Sequence, residues 1–91
     1  LLTYEYNTED LTIEEKKNGN DHEFTILIIK EELCEKLLEV RYFFENNDIH
    51  TDVLFYTHNK ENEYHIIVRN DMYVSFLLLL FQHQLIQSLK W

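Results

Sequence analysis

An α+β fold of order β-β-β-α-β-β-α is what the sequence predicts, and three observations carry the prediction. Asn18-Gly19 stands between two runs of alternating or apolar residues, Leu33, Leu37, Val40 and Phe44 recur at helical spacing, and a second pair of β-branched and aromatic runs precedes a strongly apolar stretch at 74–81. The chain of 91 residues has no proline, one glycine and no Ser- or Gly-rich stretch, so residues 1–91 read as one domain without an internal linker.

Each element follows from local chemistry. Leu2, Tyr4 and Tyr6 alternate with Thr3, Glu5 and Asn7, which predicts a first strand turning at Thr8-Glu9 to place Tyr4 against Ile13 and Tyr6 against Leu11. Asn18-Gly19 suits the positive φ angles of a two-residue hairpin turn and predicts strands over Leu11–Lys17 and His22–Lys30, with Ile13 opposite Phe24 and Leu11 opposite Ile26. Phe24 to Ile29 is apolar at nearly every position, as a strand covered on both faces would be. A helix is expected over Glu31–Glu45, ending at Asn46-Asn47-Asp48.

Val53–His58 and Glu63–Arg69 predict a second hairpin. A turn centred on Glu61-Asn62 puts Val53 and Phe55 with Ile66 and Val68 on one face, and Leu54, Tyr56, His58, His65, Ile67 and Arg69 on the other. Asn70 or Asp71 is expected to cap a final helix running to about Lys90. A right-handed crossover then gives a five-stranded antiparallel sheet of order 1-2-3-5-4 with both helices on one face. The last five elements resemble a ferredoxin-like core, the second strand standing where that fold places its fourth. The order of all seven resembles the core of type III secretion chaperones, without their N-terminal helix. No motif in the chain names a family.

Composition excludes several functions. Seventeen acidic against eight basic residues give a net charge of −9. The basic side chains (Lys16, Lys17, Lys30, Lys36, Arg41, Lys60, Arg69, Lys90) are scattered, so neither nucleic acid nor a membrane is expected as a partner. Cys34 is the only cysteine, so no internal disulfide can form; with no signal peptide and no long apolar run, the expected location is cytoplasmic. One step from Leu33, Cys34 reads as a small buried hydrophobe. No phosphate loop, nucleophile elbow or His-Glu helix pair is present, so no enzyme and no cofactor are expected.

What the sequence does offer is surplus apolar surface. Val74, Phe76, Leu77, Leu78, Leu79, Leu80 and Phe81 wrap the final helix completely, although a two-layer domain needs only one apolar stripe. At 100° per residue, Leu77, Phe81 and Leu85 mark the core side, leaving Leu79 and Ile86 on the side of Ser75, Gln82, His83 and Lys90. The expected interface is therefore Phe76, Leu79, Gln82, His83 and Ile86, or the open sheet face at Leu54, Tyr56 and Ile67.

Two weaker candidates accompany it. His58 opposite His65, with His50, Asp52 and Glu63 near, is a minor zinc candidate set against two solvated strand-end histidines. The run Glu31, Glu32, Glu35 and Glu39, continued by Glu45 and Asp48, suits a basic partner or is simply the solvated side of a helix. The function expected is a non-enzymatic, homodimeric protein-interaction module of adaptor, chaperone-like or inhibitory kind. The alternative is a small-ligand-binding regulatory domain of ferredoxin-like type.

Overall fold

A computed structural model describes residues 2–46, 53–57 and 62–91; within 53–57 it describes the backbone and, of the side chains, that of Phe55. Its elements are β1 (Thr3–Glu5), β2 (Leu11–Asn18), β3 (Asp21–Ile28), α1 (Leu33–Glu45), β4 (Val53–Thr57), β5 (Glu63–Arg69), α2 (Tyr73–Gln82) and β6 (Ser88–Lys90), with a 3₁₀ turn at Asn70–Met72 before α2. The α+β class and the two helices agree with expectation. The single five-stranded sheet does not form: β2-β3-β5-β4 make one antiparallel sheet and β1-β6 a separate two-stranded one.

The first hairpin turns one residue later than expected. Asn18 pairs with Asp21, so Gly19 and Asn20 are the loop, and Leu11 faces Ile28 and Ile13 faces Ile26. Gly19 has φ +62° while Asn20 keeps a negative φ, as in a type II′ turn, whose first central position demands glycine. Moving the turn by one residue slides the register by two, which returns every side chain to the face it was assigned. Leu11, Ile13, Phe24, Ile26, Ile28, Ile66 and Val68 accordingly line the inner face.

The second hairpin slides likewise. Val53 pairs with Val68, Phe55 with Ile66 and Tyr56 with His65. His65 thus does not face His58, which lies outside the described residues together with His50, Asp48 and Asp52.

Both helices pack on the inner face. Leu33, Leu37, Val40 and Phe44 are the buried positions of α1, as their spacing requires, and they join Phe76, Leu77, Leu79 and Leu80 of α2 in one core. Phe76 is its hub, with ring centroids 4.8 Å from Phe24 of β3, 6.2 Å from Phe44 of α1 and 6.4 Å from Phe55 of β4.

The final helix stops at Gln82, short of the expected Lys90. Gln84 adopts φ +64°, the Leu85 amide donates to the Leu80 carbonyl and the Gln84 amide to the Phe81 carbonyl. These are the two bonds of a Schellman stop, with buried Leu85 packed back on the end of the helix. Glutamine there replaces the usual glycine, so no glycine or proline marks the end. The freed segment turns back, Ser88–Lys90 pairs with Thr3–Glu5, and β1 joins β6 instead of β2. Tyr6 still reaches β2, its hydroxyl donating to the Ile13 carbonyl at 3.2 Å. Nor does Asn70 cap α2; its Oδ1 lies 2.9 Å from Nε2 of buried His22 instead.

Candidate protein interface

The expected interface divides under the structure. Phe76, Leu79 and Ile86 are buried in the chain's own core, Gln82 is exposed, and His83 is half-buried with Nδ1 3.0 Å from Glu39 Oε2. Since α2 ends at Gln82, Leu85 and Ile86 do not continue its phase. Both fold under the helix and cover part of the surplus apolar surface, and Leu79 is buried with them.

The uncovered apolar residues of the C-terminal part are different ones, while Leu27, Ile29, Tyr42 and Phe43 are exposed elsewhere. Val74, Leu78 and Phe81, at i, i+4 and i+7 on one stripe of α2, are 38, 51 and 45 % exposed, and Trp91 is 78 % exposed. Phe81 had been expected to face the core. Two depressions flank the stripe. One, of about 270 Å³, is lined by Leu2, Val74, Leu78, Leu89, Lys90 and Trp91; the other lies at Phe81, Gln82, Gln84, Ile86 and Gln87. Neither contains an acid. All seventeen Asp and Glu residues of the chain precede Met72, the last being Asp71, and none of them lines either depression, in a chain of net charge −9. Acids do stand at the rim of this face: Glu39 at His83, and Glu5, whose carboxylate accepts from the Ser88 hydroxyl at 3.1 Å and whose carbonyl accepts from the Gln87 amide.

The open face of the main sheet is the other candidate. It presents Thr12, Glu14 and Lys16 from β2, Glu23, Thr25 and Leu27 from β3, and Glu63, His65 and Ile67 from β5. Leu27 is exposed and Ile67 half-buried, while the side chains of Leu54 and Tyr56, opposite Ile67 and His65, lie outside the described set. A depression here is lined by Glu14, Glu15, Lys16, Glu23, Thr25 and His65, so charge is mixed into the surface. Thr25 Oγ1 lies 3.3 Å from His65 Nδ1. Among the described residues no group of three or more His, Cys, Asp or Glu is placed to hold a metal ion.

A polar cluster fastens the N-terminal strand beside the stripe. Glu15 of β2 accepts from the Tyr4 hydroxyl at 2.8 Å and from Tyr73, and its other oxygen lies 3.3 Å from His22 Nδ1; the His22 and Tyr73 rings stack at 4.0 Å. Burial first, then the bond to Glu15, raises the pKa of Tyr4 and Tyr73 well above the usual tyrosine value, because a phenolate there would lose water and meet a carboxylate. This cluster was not foreseen. Its signal was the histidine on the inner face of an otherwise apolar strand.

Cys34 is half-buried, not buried. Its thiol donates to Asn62 Oδ1 at 3.4 Å beside Tyr64, in a depression also lined by Glu31, Glu32 and Glu35. The acids of α1 are solvated, with Glu45 3.0 Å from Arg41 Nε.

No family model, curated protein or solved structure matches this chain. Among the described residues no helix is long and apolar enough to cross a membrane.

Proposed function

We propose that this chain is a non-enzymatic protein-interaction module whose first partner is a second copy of itself, docked through the stripe Val74, Leu78 and Phe81 with Trp91 beside it. The observation that carries the reading is the coincidence of exposed apolar side chains on α2 with flanking depressions that no acidic side chain lines. Exposed apolar patches mark contact surfaces, and large aromatic side chains dominate their energetics. A copy approaching the open sheet would set Glu14, Glu23 and Glu63 against like charge, whereas the two depressions at α2 are lined by neutral side chains and Lys90.

The ferredoxin-like reading of the core belongs to the same proposal, supported by β2 lying beside β3 at the edge of the main sheet. A small-ligand domain is the weaker reading, since the apolar depression is smaller than the roughly 300–1,000 Å³ usual for such sites and the larger ones, of about 350–670 Å³, are lined mainly by polar and charged side chains.

Light scattering on eluting protein tests the proposal. The expected mass is twice the 11.2 kDa of the chain. Leu78→Glu should abolish the dimer and Leu27→Glu, on the open sheet, should leave it. The reverse pattern would move the interface to the sheet, and a monomer at all concentrations would remove it.

A further inference from the structure

Asn18-Gly19 forms the first hairpin, and the same two residues carry a chemistry that the fold leaves open to water. The chain has seven other asparagines, each followed by a residue with a side chain; Asn18 alone precedes the one glycine. The β2-β3 ladder ends where Asn18 pairs with Asp21, so the Gly19 nitrogen lies beyond the strand pairing, and Asn18, Gly19 and Asn20 are all exposed. A β-carbon built at Gly19 would meet nothing within 4 Å, so the turn is uncrowded on that side. The Asn18 side chain shares the open sheet face with Lys16 and Glu23, its Nδ2 donating to Glu23 Oε2 at 2.8 Å.

We infer that Asn18 is a site of spontaneous covalent modification, losing its side-chain amide to attack by the Gly19 nitrogen. Hydroxide takes the Gly19 amide proton, the nitrogen bonds to Asn18 Cγ, and the Cγ–Nδ2 bond breaks, Nδ2 leaving as ammonia with a proton from water. The product is a five-membered cyclic imide. Water then opens it. Breaking the new bond to Cγ gives aspartate; breaking the bond to the main-chain carbonyl carbon gives isoaspartate, whose main chain runs through the β-carbon. No electrons change hands and water is the co-reactant. An asparagine side chain is short enough to reach the backbone that follows it, and a glycine there sets no side chain in the way of ring closure.

The acid formed acts on the hairpin. Either product removes the donor to Glu23 and sets a carboxylate against it, adding a negative charge to a chain of net charge −9. Lys16, which pairs with Glu23 across the strands, then stands between two acids. Isoaspartate also lengthens the main chain at the pair of Asn18 with Asp21, beside Asn20, whose carbonyl accepts the Asn70 amide at 2.8 Å at the start of the 3₁₀ turn before α2.

Peptide mapping by mass spectrometry tests the site. The whole chain is incubated folded at physiological temperature and mildly alkaline pH, beside a sample held unfolded in urea, until the unfolded sample has lost most of its Asn18 amide. The folded chain should also exchange amide for acid at Asn18, as both aspartate and isoaspartate, at least about tenfold faster than at any other asparagine. Asn18→Gln should abolish the exchange there, since attack would have to close a larger ring. The converted chain, separated by its added charge, should unfold at a urea midpoint lower by roughly 0.2–0.7 M. Conversion at Asn18 in the unfolded sample only, or faster conversion at another asparagine of the folded chain, would overturn the site. A converted chain as stable as the original would overturn its effect on the hairpin.

Discussion

Replacing Phe76 separates a core residue from an interface residue. The ring is fully buried and packs against Phe24, Phe44 and Phe55, one each from β3, α1 and β4, so its removal unpacks three elements from α2 at once. Phe→Ala at such a site costs about 3–5 kcal/mol, and each aromatic pair holds about 0.5–1.5 kcal/mol beyond its buried area. A domain of this size is stable by roughly 5–14 kcal/mol, so the alanine variant stands near the unfolding threshold. Phe76→Leu keeps most of the volume and loses the three ring pairs, about 1.5–4.5 kcal/mol in all. At a urea dependence of about 1–1.5 kcal/mol per molar, the unfolding midpoint should fall by at least about 1 M with unchanged slope. The assay is urea unfolding followed by circular dichroism at a concentration where monomer dominates, because association adds stability of its own. A midpoint that hardly moves, together with a weakened dimer, would refute the reasoning and return Phe76 to the interface.

Two further outcomes follow from the helix stop and the tyrosine cluster. Gln84→Gly should stabilise the fold by about 0.5–1 kcal/mol, since a β-carbon at φ +64° is strained and glycine is not; a lower urea midpoint would show that the Lys36 bond to the Gln84 side chain outweighs the relief. Tyr4 and Tyr73 have folded pKa values above the unfolded value of about 10, so above that pH the unfolded chain binds fewer protons and stability declines as pH rises. Their contribution is intact below pH about 10. Midpoints measured from pH 8 to 10.5 should fall, and the Tyr4→Phe/Tyr73→Phe double variant should fall less; equal slopes would remove the cluster as the cause.

Local signals explain which parts of the fold were legible. Helix α1 was read from Leu33, Leu37, Val40 and Phe44, four residues whose spacing alone defines a face. Both hairpins were read with a register two residues off, and the strand period of two preserved the buried face despite the slide. The β1-β6 pairing was not legible, because Thr3 and Lys90 lie 87 positions apart and no local pattern reports such a contact. It depended on the end of α2, and that end was hidden by a glutamine in the role of glycine. The same misreading carried Leu79 and Ile86 to the outside. Surplus apolar surface on the last helix was visible in composition, but which residues form it followed only once Leu85 and Ile86 had folded beneath the helix.

Sedimentation equilibrium over a concentration series, at low and at high salt, tests the self-associating face most directly. The weight-average mass should rise from one chain toward two, and the association should tighten with salt, since screening relieves the mutual repulsion of two chains of charge −9 while the uncharged contact is untouched. A mass that stays at 11.2 kDa up to about 100 µM at either salt would contradict it.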